Sequence, residues 1–554
     1  MRWIVRRNVV LLVAVVLAAA QSIHAQVSNA RLLNASKEPQ NWLSYSATYD
    51  NQRYSLLKTI TPANAKNLEL KWVYQTFSTW SFETTPLVVD GVMYLTSGPN
   101  DVTAIDAATG RPFWIFKYTP QAGFKACCGS PNRGLAILGD TLFMGTVDAH
   151  LIALDAVSGK VRWNTTVAKT ADGYAISHAP LVVKDKVIVG TAGGEYPTRG
   201  FIAAYDVHTG KEAWRFYTIP GTGEPGNDTW PADAWQVGGG SVWTTGAYDP
   251  ALNLTYWGVG NANPNFFDAK RKGDNLYTCA VVALDVDTGK LKWHFQFTPH
   301  DINDWDSAQY GVLADMNWLG TPRKLLMWAN RNGFFYVLDR ETGAFLKGFP
   351  FVKVNWASGL DHHGRPILTM PALGELVYPW PGGGTSWFPP SFSPRTELMY
   401  VTTEENTASR MKPTDKEPDL KIGQTRIGGN FTPLNDAPNP GTGGGIRAPV
   451  ITNGTETNGT GAVSAIDPRT GVTKWKFPFT NVSNSGLLTT ASDLVFSGSR
   501  EGHFFALDAR TGSELWRINL GGHVNAGPMT YAVDGKQFVT IAAGQALFTF
   551  GLRE

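Results

Sequence analysis

Cysteine is nearly absent: 554 residues contain only Cys127, Cys128 and Cys279, and no Cys-x-x-Cys-His occurs. A disulfide-stapled small fold and a covalently attached haem c are therefore excluded. Charge is scarce as well, with 17% charged residues against ~25% in an average globular domain. Forty-eight Lys and Arg almost cancel 46 Asp and Glu. Without a polybasic surface, nucleic acid is not an expected partner. No stretch after the first 20 residues is long and apolar enough to span a bilayer, so stable membrane insertion is not expected either.

What is present is aromatic and glycine-rich: 20 Trp, 18 Tyr, 28 Phe and 58 Gly. That composition fills a large core and is far from a disordered one. The N-terminus reads MRWIVRRN, then the 12-residue apolar run VVLLVAVVLAAA, then QSIHAQ. Basic flank, apolar run and the small residue Ala25 are the parts of a secretory signal peptide, expected to span 1–25. A membrane anchor would need ~20 apolar residues. The mature chain, 26–554, is expected to be exported, to the periplasm. In an oxidising compartment the adjacent Cys127 and Cys128 can close an eight-membered ring with a distorted peptide bond. Two buried thiols are the other reading, and spacing alone does not decide. Cys279 reads as a core thiol.

One phrase organises the chain: apolar residue, Asp, two variable residues, Thr or Ser, Gly, three more, then usually Trp. It occurs as AIDAATGRPFW (104–114), ALDAVSGKVRW (153–163), AYDVHTGKEAW (204–214) and ALDVDTGKLKW (283–293). It continues as VLDRETGAFLK (337–347, Trp replaced by Lys347), AIDPRTGVTKW (465–475) and ALDARTGSELW (506–516). Trp72 in NLELKWVYQ marks an eighth unit. Asp and Thr hydrogen-bond across the turn, and Gly supplies the positive φ. Trp is expected to stack flat between neighbouring units. Alternating segments such as PLVVDGVMYLTS (86–97) precede the phrases. Two hairpins per unit make a four-stranded blade, and periods near 40–50 residues are those of propellers. Asp106 to Asp155 spans 49 residues and Asp467 to Asp508 spans 41. Longer gaps mark insertions around 218–240 and 353–450, where functional loops belong. The expected fold is all-β: an eight-bladed β-propeller with tryptophan-docking repeats, a single domain over 26–554. The YAVDGKQFVTIAAG strand is expected to close the ring with the N-terminal segment, removing free edges.

Repeat phrase, export signal and Cys-Cys pair together resemble the quinoprotein alcohol dehydrogenases, the pyrroloquinoline quinone (PQQ) enzymes of the methanol/ethanol dehydrogenase family. The resemblance runs from NWLSYSATYDNQRYSLLKTI (41–60) to PMTYAVDGKQFVTIAAG (528–544). In ACCGSPNRGLA (126–136) it implies a Cys127–Cys128 disulfide against one quinone face, with Arg133 on a PQQ carboxylate, a two-pronged match. GGGSVWTTGAYDP (238–250) supplies Trp243 for the opposite face; read alone, Trp243 is a blade-packing indole. GTAGGEYPTRG (190–200) implies Glu195, and YWGVGNANP (256–264) implies Asn261, as hard oxygen ligands of a metal ion. Alone, these are a solvated loop carboxylate and a turn residue.

In TPHDINDWDSAQ (298–309) the resemblance makes Asp304 the catalytic base and a metal ligand. Asp306, two residues on, matches the lanthanide-using branch. Its added carboxylate favours a trivalent ion, with Ca²⁺ second; backbone capping is its bland reading. Arg331 of NRNG matches an arginine near the quinone carbonyl. Glu83, Thr146, Ser177, Gly193, Gly194 and Ser386 match cofactor-binding positions. The pattern departs at Ser386-Trp387, where the family often has Asn-Trp, and at Asn484, where methanol enzymes have a pocket Trp. It departs again at GQALF (544–548), which stands where those enzymes carry Gly-Trp. These changes fall on the substrate side.

The implied activity is oxidation of a small-molecule alcohol to an aldehyde or ketone by hydride transfer to PQQ, since no side chain accepts a hydride. Electrons then pass to an external acceptor, a periplasmic cytochrome c. A homodimer stays open as the assembly. The competing reading is a non-catalytic exported propeller scaffold with PQQ-like repeats, which predicts neither the Cys-Cys pair nor the Asp-rich triplet. A membrane-bound quinoprotein glucose dehydrogenase would need several N-terminal spans, and a hydrolase would need a nucleophile elbow.

Overall fold

The computed structural model describes residues 26–78, 81–129, 131–433 and 459–553. The expected signal peptide, 1–25, and residues 434–458 of the long insertion lie outside the described residues.

The described chain is built from strands, with one short α-helix, Asn29–Leu33, and a few 3-10 turns. No helix among the described residues is long and apolar enough to cross a membrane. Consecutive strands form four-stranded antiparallel sheets, as in Leu87–Val89, Val92–Ser97, Asp101–Asp106 and Pro112–Phe116. This succession is the arrangement of a β-propeller. Among the described residues there are seven four-stranded sheets and one of five strands, plus two small sheets from the insertion. Second and third strands of a sheet are buried along most of their length, as in VMYLTS and LIAL, because sheets cover both their faces.

Ring closure differs in detail from the expectation. Leu68–Gln75 pairs antiparallel with the last strand, Ala546–Leu552, and the YAVDGKQF segment forms the two strands before it. Tyr54–Ser55 also adds in parallel to Leu488–Thr490, giving the five-stranded sheet. Both ends of the described chain are thereby paired into sheets, which leaves fewer open edges.

Each repeat phrase turns the third strand into the fourth. Asp106 Oδ1 accepts from Ala108 N (2.9 Å) and Thr109 N (3.0 Å), while Gly110 N donates to the Asp106 carbonyl (2.8 Å). Gly110 has φ +75°. A second constraint comes from the neighbouring sheet. A Cβ at Gly110 would stand 2.7 Å from Trp72, and one at Gly159 2.6 Å from Trp114. Gly210 meets Trp163 in the same way, Gly289 meets Trp214, Gly343 meets Trp293 and Gly512 meets Trp475. Most of these indoles anchor themselves by donating Nε1–H to the same turns, as Trp72 to Ala107 O (3.2 Å), Trp163 to Val207 O (3.1 Å) and Trp214 to Val286 O (2.9 Å), whereas Trp293 Nε1 has no partner. Where Lys347 replaces Trp, Phe349 takes over and lies 2.6 Å from the Cβ position of Gly471. The substitute sits two residues further along the strand, on the same face.

Trp214 is buried and bonded at this contact. Trp214→Ala is expected to cost about 3–5 kcal/mol, read as a fall in the denaturant midpoint. A midpoint matching the parent would refute the docking role.

Candidate active site

Antiparallel order puts the connections at two ends. The loop between second and third strands, and the loop leading into the next sheet, emerge together; the repeat turns emerge opposite. Every site residue expected from the sequence lies on the first kind of loop. Thr146, Gly193, Gly194, Glu195, Asn261 and Arg331 follow second strands, whereas Glu83, Cys127, Cys128, Arg133, Ser177, Trp243, Asp304, Asp306 and Ser386 precede first strands. One end of the ring thus gathers residues that are 300 positions apart in sequence.

Cys127 and Cys128 are disulfide-bonded, with Cα atoms 3.7 Å apart. Their sulfurs lie within 4.8 Å of a Glu195 carboxylate oxygen, and Cys128 is exposed. Cys279 is the buried free thiol. Arg133 is a second meeting point. Its Nη2 pairs with Glu83 Oε2 at 2.7 Å, and its Nη1 donates to Ser177 Oγ (3.2 Å) and the Trp243 carbonyl (3.5 Å). The guanidinium lies 5.2 Å from the Trp243 ring centre and 4.5 Å from that of Trp387, within cation–π range. Burial pushes the Glu83 carboxyl up, against the pull of Arg133.

The third group is acidic. Asp306 Oδ2 pairs with Arg331 Nη1 (2.7 Å), and its Oδ1 accepts from Asn261 N (2.5 Å). Asp304, at φ +64°, accepts at Oδ1 from Asn265 Nδ2 (2.6 Å). Burial raises the Asp304 carboxyl well above the usual range; Arg331 opposes this, and the charges of Asp306 and Glu195 add to it. Burial, then the charge of Asp306, pushes Glu195 up to about 7. Both carboxyls therefore sit in a field that is short of positive charge.

Asn261 points its Oδ1 into this region without a partner. Its Nδ2 and that of Asn263 both donate to Gly194 O, at 3.3 and 3.0 Å. A Cβ at Gly194 would collide with Asn261 Oδ1, so that glycine admits the amide, whereas one at Gly193, φ +125°, would collide with the Gly173 carbonyl. The insertion closes over this end: Arg426 N donates to Glu195 O (2.7 Å), and Phe266 N to Ile427 O (2.8 Å).

Two expected residues stand apart. The Thr146 hydroxyl is engaged in its own turn, donating to Asp148 Oδ1 (2.5 Å) and accepting from His150 N (2.9 Å). Ser386 is buried beside Trp387, and it is the indole that reaches Arg133. Asn265 escaped the sequence reading; the polar run GNANPN was its only signal.

A vicinal disulfide near Glu195, an indole-flanked guanidinium and buried carboxyls around Arg331, all at one end of a propeller, suit a quinone-dependent oxidoreductase, and fold and site together define that class. The family described as "PQQ: Glucose/ethanol/alcohol dehydrogenase, beta-propeller domain" matches residues 42–355 and 362–539. A quinohemoprotein alcohol dehydrogenase, ADH-IIG of Pseudomonas putida, is 39% identical over 566 residues, covering 95% of this chain and 75% of that one. The solved ADHIIG from Pseudomonas putida HK5 superposes with TM-score 0.88 at 36% identity, covering 96% of this chain and 83% of that one. A europium-containing methanol dehydrogenase gives TM-score 0.86 at 32% identity, covering 94% and 100%. The chain belongs to the PQQ-dependent alcohol dehydrogenase family.

Arg133→Leu would strand Glu83 as a buried, unpaired charge. A loss of about 3–5 kcal/mol in unfolding free energy is expected, mostly recovered in Glu83→Leu/Arg133→Leu. A double variant as unstable as the single one would contradict this coupling.

Proposed function

We propose that this is an exported, periplasmic dehydrogenase, one eight-bladed, tryptophan-docked propeller domain over 26–554, oxidising an alcohol with PQQ and one metal ion. The observation that carries the reading is a charge imbalance. Glu195 and Asp304 both feel the charges of Asp306 and Arg331, Arg331 pairs directly with Asp306, and the buried Asn261 Oδ1 has no donor. A hard cation satisfies carboxylates and amide oxygen together. Glu195, Asn261, Asp304 and Asp306 would hold it. Each Asp306 oxygen already accepts one hydrogen bond, from Asn261 N or from Arg331, so ligation would use the second lone pair of that oxygen. Three carboxylates favour a lanthanide over Ca²⁺, and the likeness to a europium-containing enzyme supports that preference.

PQQ supplies the two-electron acceptor that side chains lack, and the metal ion supplies Lewis acidity. The chain's residues do the rest. Arg133 and Ser177 offer donors to a cofactor carboxylate, with Glu83 holding the guanidinium in place. Trp243 and the Cys127–Cys128 ring provide flat walls. Asp304 keeps Oδ2 for the substrate hydroxyl while Asn265 fixes Oδ1. Arg331 stands ready to balance negative charge developing beside it. Gly193, Gly194, Thr146 and Ser386 shape the loops behind. Electrons would leave to a periplasmic cytochrome c, and a homodimer remains open as the assembly.

Asp304→Asn is expected to lower alcohol-dependent dye reduction by about a hundred- to ten-thousand-fold, with the unfolding midpoint retained; full activity would sink the base assignment. Stripping the metal with a chelator should abolish turnover. Readdition with PQQ should restore more activity with La³⁺ than with Ca²⁺, and Asp306→Ala should reverse that order. A parent enzyme served only by Ca²⁺ would overturn the lanthanide reading.

A further inference from the structure

The side chain touching the base is Asn265, and half of it is idle. Nδ2 donates to Asp304 Oδ1 at 2.6 Å, whereas the buried Oδ1 has no hydrogen-bond partner. With Asp304 ionised, as a base must be, the amide nitrogen faces the carboxylate and its oxygen faces away. Its backbone is pinned from behind. Arg271, fully buried, donates to Pro264 O (2.9 Å), Asn265 O (3.1 Å) and Asp301 O (2.8 Å). That guanidinium staples the loop carrying Asn265 to the loop carrying Asp304. The unpaired oxygen therefore has a fixed position one amide width from the base. Interiors rarely leave an amide oxygen without a donor, and one beside reacting atoms points to a ligand that brings its own.

We infer that Asn265 Oδ1 is a specificity determinant, accepting a hydrogen bond from a second hydroxyl on the carbon next to the one oxidised, so that the substrate class is vicinal diols. This rests on the alcohol-oxidising function proposed above. One hydroxyl of the diol donates to Asp304 and the other to Asn265 Oδ1. An alcohol with only an alkyl group there leaves the amide oxygen unsatisfied. Sites built to receive a polar group discriminate strongly against analogues that lack it.

The test compares propane-1,2-diol with propan-1-ol on the holoenzyme loaded with PQQ and metal. The parent should favour the diol at least tenfold in kcat/KM, with most of the difference in KM. Asn265→Leu and Asn265→Ala should bring that ratio close to one. A defect in folding or in base positioning lowers both substrates together and leaves the ratio unchanged. Equal use of both alcohols by the parent, which needs no variant, overturns the inference alone. A ratio that survives in a folded Asn265 variant does the same. Turnover of neither alcohol sinks the alcohol-oxidising reading together with this one.

Discussion

Glu195, Asp304 and Asp306 place three carboxylates where water has only partial access, and Arg331 is the guanidinium that faces them. Desolvating such charges costs several kcal/mol each unless partners compensate. Arg331 compensates Asp306 directly, and the other two carboxyls respond by holding their protons more tightly. A polypeptide optimised for stability alone would replace such a cluster with apolar residues. Its persistence beside an unpartnered amide oxygen marks a place where stability is given up for chemistry. The rest of the molecule can be understood as the apparatus that keeps these groups together.

That apparatus is the contact between glycine and indole. Each turn glycine lets the backbone take positive φ and lets the neighbouring sheet's indole lie against the turn. A methyl group would break both conditions at once. The contact recurs around the ring, so the relative placement of adjacent sheets is fixed at the turn end. The opposite end inherits the precision, because rigid strands connect the two. Glu195 and Asn261 come from two successive sheets and Asp306 and Arg331 from the next, so their spacing is only as good as the docking between those three sheets. Packing and chemistry occupy opposite ends, which lets loops vary without loosening the frame.

The sequence made the frame legible where the chemistry is local. Asp, Thr and Gly in one turn carry their reasons within five residues, whereas the adjacent cysteines left ring and free thiols equally open until the structure joined them. Phe349 was hidden because the docking ring moved two positions, off the repeat's Trp column, and only the sheet's facing pattern restores it. The closing strand lies one strand beyond the YAVDGKQFVTIAAG segment, in the same sheet, since neighbouring apolar segments read alike until pairing is seen. The Thr146 hydroxyl bonds within its own turn, a contact that a linear pattern cannot reveal. Asn265 and Trp387 were silent for another reason. Their partners, Asp304 and Arg133, are 39 and 254 positions away, and nothing local hints at either contact.

The surroundings of Arg133 suit the carboxylate contact proposed for it, a wall in place before any ligand arrives. Two indoles hold the guanidinium by its faces, while Glu83 and Ser177 take donors from its edge. Its backbone N donates to Ser177 O and its carbonyl accepts from Thr85 N, so the stem is fixed as well. Nε remains buried and unpartnered. An arginine held by faces, edge and backbone has lost most of its rotamer freedom during folding, so a later carboxylate need not meet that cost. Glu83 keeps the site nearly neutral until then, and the flat indoles exclude water without competing for hydrogen bonds. A lysine in this place would lack both the planar face and the spare N–H, so the wall would bind by charge alone and lose its orientation.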